Sequence, residues 1–152
     1  MSYDSKPETK KHIRQVRKLL GKIVYNVKRR ADLHDSSKLA SPEVEMYDEF
    51  TPKLRALTYG SDEYKQCLQV MGSALQHHYQ CNSHHPEHFR DGIDGMSLLD
   101  LIEMLADWAA AVQRHDDGNL TTSISINKKR FGMSGQLAKI FVNTAMEMGW
   151  IK

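Results

Sequence analysis

The chain is poor in cysteine, with only Cys67 and Cys81 among 152 residues. The two have neither the paired spacing of a zinc motif nor the density of a secreted disulfide scaffold, and they read as reduced intracellular thiols. No apolar run approaches the ~20 residues that cross a bilayer. The opening stretch from Met1 to Lys11 is polar and lacks the apolar centre of a signal peptide. A cytoplasmic protein with no membrane partner is therefore expected. Charge of one sign is also missing: 21 basic residues face 19 acidic ones, for a net +2, which gives no global signal for nucleic acid. Walker A and Rossmann glycine patterns are absent, as is the G-x-S-x-G of a nucleophile elbow. No repeat, low-complexity stretch or linker breaks the chain, so residues 1–152 read as one domain, long enough for a real core.

Histidine is what the chain has in excess: eight residues, five of them between positions 77 and 88. The hydrophobic pattern places them on helices. Ser5 and Pro7 open a helix to about Ala31 with the apolar stripe Ile13, Val16, Leu20, Ile23, Val24 and Val27. His12 precedes Val16 by four and falls on that stripe's face, which is expected to be buried. Pro52 should divide the next helical region into pieces over 42–50 and 52–58. Ser61 caps a helix to about Gln80 whose stripe is Leu68, Met71, Leu75 and His78, with His77 beside it. Residues 81–95 form a loop, long for a compact domain, and its histidines are placed to line a site entrance. Ser97, with Asp100 three later, resembles a capping box and starts a helix to about Asp116. Its buried stripe is Leu98, Leu101, Ile102, Leu105, Ala109 and Val112, and Asp100, Glu103 and Asp107 stand beside it. The alternation in Ser123-Ile124-Ser125-Ile126 resembles a strand, but with no partner strand evident a helix over 121–130 is expected. Ser134 caps the last helix, with Leu137, Ile140, Phe141, Ala145 and Met148 facing inward. The expected fold is all-α, a compact bundle of about six helices.

The chemistry centres on His34-Asp35-Ser36-Ser37-Lys38. An imidazole beside a carboxylate suits a divalent metal, and an ammonium three residues on suits a phosphate held there. Asp107, between Ala106 and Trp108 in an apolar stretch, would need a cation or a partner if buried. Neutral imidazoles and carboxylates favour Mn, Co, Ni, Zn or Fe. Each residue also has a plain reading: a lone histidine on an apolar stripe is usually structural, and an acidic stripe is usually a solvated face.

The pattern His…His-Asp…Asp, with Lys following the doublet, resembles the HD superfamily of metal-dependent phosphohydrolases, whose members are helical bundles. The resemblance implies His12, His34, Asp35 and Asp107 as ligands to one metal and Lys38 as a phosphate-binding group. A broader likeness is carried by His77-His78, by Asn82-Ser83-His84-His85-Pro86-Glu87-His88, by Leu98 through Trp108 and by Asn127-Lys128-Lys129-Arg130-Phe131. Over nearly the whole chain it is similar to an uncharacterised family of small phage and bacterial proteins, which implies a bacterial or phage-infected cell.

A second metal is left open, with His78, His84 and His85 as its candidate ligands. The expected function is hydrolysis of a phosphoester through a metal-activated water, with a nucleotide or deoxynucleotide as the small-molecule partner. Lys38, His78 and Glu103 are the catalytic candidates. Arg14, Arg17, His88, Lys128 and Arg130, along with Lys38, are the candidates for substrate binding. Two alternatives stand beside this reading. One is an HD-fold di-iron oxygenase, against which the lack of any histidine between positions 39 and 76 counts. The other is a non-catalytic helical module that grips a ligand. Homo-oligomerisation is left open.

Overall fold

A computed structural model describes residues 3–58, 60–114 and 118–151. Among them are seven α-helices and no strand. They are α1 (Lys6–Leu33), α2 (Glu43–Arg55), α3 (Asp62–Val70), α4 (Gly72–Cys81), α5 (Leu98–Val112), α6 (Leu120–Arg130) and α7 (Gly135–Glu147). Short 3₁₀ turns cover Ser36–Leu39, Pro86–His88 and Gly92–Gly95. The chain divides into two units, Met1–His34 and Asp35–Lys152.

The first unit is essentially α1. Pro7 sits in its first turn, where a missing N–H costs little, and the Ser5 hydroxyl makes no capping bond. No residue of this helix is buried. The stripe expected to be inside is solvent-facing: Ile13, Val16, Leu20, Ile23 and Val24 are all exposed, and so is His12. Helical periodicity shows that one face is apolar, but a single helix has nothing of its own to cover it.

The second unit holds the core. Met104, Leu105 and Ala109 of α5 pack with Leu120 and Ile124 of α6, Met133, and Phe141 and Ala145 of α7. The buried face of α5 is turned from the expected one, because Met104 is inside while Leu98 and Ile102 are exposed. The helix start explains the turn. Asp100 is buried and caps α5 reciprocally with Ser97, and its other oxygen accepts the Ser83 hydroxyl at 2.6 Å. Burying Asp100 carries Met104, one turn on, inward with it. In α7, Phe141 and Ala145 are buried as expected, whereas Ile140 and Met148 are exposed. The expected end of α5 at Asp116 lies outside the described residues.

Two further boundaries differ. Pro52 lies inside one continuous α2. It removes one i→i−4 backbone bond, and the helix continues for only three residues beyond it. The helix expected over 62–80 is instead α3 and α4, which meet at Met71 and Gly72. Glycine weakens the helix there, and the break lets Met71 reach the interior at 1% exposure. The segment over 120–130 is helical as expected, capped by Asn119, whose Oδ1 accepts the Thr122 N–H at 3.0 Å. Local alternation there gave way to a cap and a core-facing Ile124.

The loop after α4 is tied down rather than loose. The His88 Nδ1–H donates to the Tyr79 carbonyl at 2.8 Å, and Arg130 pairs with Glu87 at 2.7 Å. Gly95 packs so closely that a Cβ there would sit 2.8 Å from the Phe89 Cβ. Gly95→Ala is therefore expected to destabilise the fold by about 1–3 kcal/mol, read as a lowered midpoint in thermal or urea unfolding.

Candidate metal centre

Asp35 is the residue on which the site turns. It takes a left-handed backbone conformation, φ 55° and ψ 15°, at the junction where α1 has ended and the turn Ser36–Leu39 begins. Aspartate tolerates that region better than most side chains. The Lys38 amide donates to the Asp35 carbonyl at 2.9 Å and the Lys38 ammonium to Asp35 Oδ2 at 2.6 Å. Lys38 also lies over the Tyr47 ring, 4.9 Å from its centroid. Asp35 Oδ1 is left facing the histidines.

Three imidazoles meet it. His78, fully buried on α4, brings Nε2 to 3.3 Å from Asp35 Oδ1. His84, equally buried, brings its Nε2 to 3.5 Å from the same oxygen. His85 Nε2 stands 2.9 Å from His78 Nε2. The loop histidines thus form the middle of the cluster, not the rim expected from sequence. They arrive there because Asn82 donates to the His78 carbonyl and to Ser37, both at 2.8 Å, and Ser83 is anchored on Asp100.

Carboxylates behind the rings set their tautomers. Glu43 is wholly buried, with Oε2 2.9 Å from His78 Nδ1 and Oε1 2.7 Å from His77 Nδ1. Burial pushes its carboxyl upward, but the hydrogen bonds from His77, Ser37 and His78 outweigh this and hold it below the usual range. An ionised carboxylate only accepts, so His78 donates from Nδ1 and keeps the Nε2 lone pair toward Asp35. Glu103 stands likewise behind His84, with Oε1 3.3 Å from Nδ1. Burial, then the charge of Lys38, lowers the His78 pKa against the pull of Asp35 and Glu43. His85 is driven down to about 3, chiefly by burial and then by His84 and His78. Burial, then Glu43 and Asp35, pushes the Tyr47 phenol up.

This set fits a divalent transition metal. Asp35, His78, His84 and His85 each offer one donor atom, all within 4.8 Å of one another. Metal–ligand bonds of ~2.0–2.1 Å in tetrahedral geometry require donor separations of about 3.3 Å. Three of the separations, 2.9, 3.3 and 3.5 Å, bracket that value. Carboxylates behind ligating histidines are the usual means of fixing the ring and raising its basicity.

The chain matches a family over residues 1–147 that is described as a family of unknown function, DUF5662. It belongs to DUF5662. No curated protein matches it, and no solved structure does.

Of the residues singled out in this DUF5662 chain, the structure gathers Asp35, His78, His84 and His85 into one cluster, with Lys38 on Asp35 and Glu103 behind His84. Asp107 is half-buried on α5, and one of its carboxylate oxygens lies within 4.8 Å of one from Asp35. His12, Arg14 and Arg17 are exposed on α1, and His34 closes that helix as its C-cap, all within the first unit. His88 is exposed and holds a backbone carbonyl. Lys128 and Arg130 are exposed at the end of α6, where Lys128 lies beside Gly135 and Arg130 pairs with Glu87. Sequence reasoning missed Glu43, Ser37, Asn82 and Tyr47. Glu43 follows Pro42 at a helix start, where an acid is ordinary and gives no sign of burial.

A histidine held neutral in the fold takes up its proton on unfolding at any pH below its ordinary value of 6.5. The metal-free protein should therefore lose stability as pH falls from about 6.5 toward 3. His85→Gln should flatten that dependence, as checked by unfolding midpoints across the range in the presence of a chelator.

Proposed function

We propose that this protein is a metal-dependent phosphohydrolase acting on a nucleotide or deoxynucleotide phosphoester. The observation that carries the reading is the convergence of Asp35, His78, His84 and His85, two of those rings backed by buried or half-buried carboxylates. A divalent transition metal held there would lower the pKa of bound water and polarise a phosphoryl oxygen. Asp35, His78, His84 and His85 would hold it.

The remaining groups divide the other tasks. Glu43 orients His78 and Glu103 orients His84, so Glu103 acts on the reaction through that ring. His78 is a ligand in this reading, because both its nitrogens are engaged in the cluster. Lys38 supplies the positive charge that a phosphoryl group requires, since this chemistry rests on positioning and electrostatics. Asp107 adds a carboxylate within reach of Asp35. The resemblance to the HD superfamily implies a different ligand set, His12, His34, Asp35 and Asp107, and Asp35 is common to both. The nucleotide substrate rests on that resemblance.

The test is metal analysis of the purified protein followed by a phosphate-release screen over mono-, di-, tri- and cyclic nucleotides with Mn, Co, Ni, Zn or Mg. Asp35→Asn keeps the left-handed backbone accessible, and it is expected to abolish turnover and metal retention at the Asp35 cluster with helicity unchanged. Full activity in that variant would remove the assignment. Glu43→Gln should lower metal affinity or turnover by about 10–100-fold. Lys38→Ala should lower turnover and leave metal content intact. Metal bound without phosphate release from any substrate would favour a non-catalytic module, and iron with oxygen consumption would favour the oxygenase.

A further inference from the structure

Glu43 carries a second histidine on its other oxygen, and that histidine has a thiol neighbour. His77 and Cys81 stand one turn apart on α4, on the same face. Cys81 Sγ lies 3.7 Å from His77 Nε2 and 3.9 Å from Nδ1. Glu43 Oε1 lies 2.7 Å from His77 Nδ1. One donor atom from each of the three residues falls within 4.8 Å of the other two. Glu43 is buried, His77 is 38% exposed and Cys81 is exposed, so the trio opens outward to solvent.

We propose that Glu43, His77 and Cys81 form a second metal site, distinct in chemistry from the Asp35 cluster, that takes Zn²⁺ or another thiophilic divalent cation. The thiolate decides the class, because soft sulfur selects zinc-like ions over Mg²⁺ or Mn²⁺. Zinc bonds of ~2.3 Å to sulfur and ~2.0 Å to nitrogen give a tetrahedral S···N separation of about 3.5 Å. The observed Sγ–Nδ1 separation of 3.9 Å closes to this value with a shift of about 0.4 Å. The Glu43–His77 pair must open from its hydrogen-bonded 2.7 Å toward about 3.3 Å, and the half-exposed His77 ring has room to move.

The protons balance as follows. The Cys81 thiol releases its proton to solvent. His77 keeps one proton, now on Nε2, and offers Nδ1 to the cation. The Glu43–His77 hydrogen bond is replaced by a bond from each partner to the metal, with the remaining coordination position facing water. Glu43 Oε2 stays with His78, so one buried carboxylate serves both sites. The Asp35 cluster contributes no ligand here, and the proposal holds whether or not that cluster is hydrolytic.

Cobalt separates the two sites, because only a thiolate ligand produces sulfur-to-cobalt charge-transfer absorption in the near ultraviolet. The full-length, metal-stripped and reduced chain is titrated with Co²⁺. The band is expected in the unsubstituted protein, in Asp35→Asn and in Cys67→Ser, and it is expected to vanish in Cys81→Ser. The Cys81→Ser chain should also bind one Zn²⁺ fewer. His77→Ala should weaken cobalt binding at this site by about tenfold or more. The proposal is overturned if the unsubstituted chain gives no such band, if the band survives Cys81→Ser, or if His77→Ala binds cobalt with unchanged affinity.

Discussion

A fully buried carboxylate without compensation is one of the most expensive things a small fold can contain. Glu43 is such a group, and its surroundings are arranged to meet that cost. His77 and His78 approach it from α4, and Ser37 approaches from the turn after Asp35. Adjacent helical residues normally diverge by about 100°, yet these two rings reach the two oxygens of one carboxylate. Glu43 must therefore project straight at the α4 face that bears them, which fixes the register of α2 against α4. It also fixes the His78 tautomer, and that in turn decides which nitrogen the Asp35 cluster receives.

The same logic extends to the loop after α4. Sixteen residues without an α-helix, between Cys81 and Leu98, would ordinarily cost too much order to hold two side chains in place. Here Asn82, Ser83, Glu87 and His88 each bind another element, and Gly95 lets the segment close tightly on Phe89. Asp100 joins the two systems, because it caps α5 and also receives Ser83, one residue before His84. A capping interaction, usually a local matter, thus positions a buried imidazole.

Electrostatics pulls the cluster in a consistent direction. Lys38 neutralises one side of Asp35, and Glu43 and Glu103 stand behind His78 and His84. Burial keeps His85 neutral down to low pH. His78, its pKa lowered and its Nε2 lone pair turned toward Asp35 Oδ1, is in the protonation state that a cation needs. The backbone strain at Asp35, φ 55°, lies at the centre of this arrangement, where strain is commonly retained for function.

The helical class, the capping residues Ser61, Ser97 and Ser134, and the inward turn of Met71 and His78 were legible in the residues, because they follow from 3.6-residue periodicity and short-range hydrogen bonding. A gathering of the excess histidines with Asp35 was also legible from chemistry and composition, and three of them do gather there. Partner choice was not. Nothing local distinguishes the buried Glu43 from the solvated acids of other helix starts. Nothing local shows that His84 is buried while His88, four residues on, is exposed. Nor does an apolar stripe state what covers it, as α1 shows. Local patterns decide which backbone forms and which face is oily. Burial of a charge and convergence of donors depend on residues far apart in the chain, and only the packing of α2, α4, α5 and the loop between them settles those.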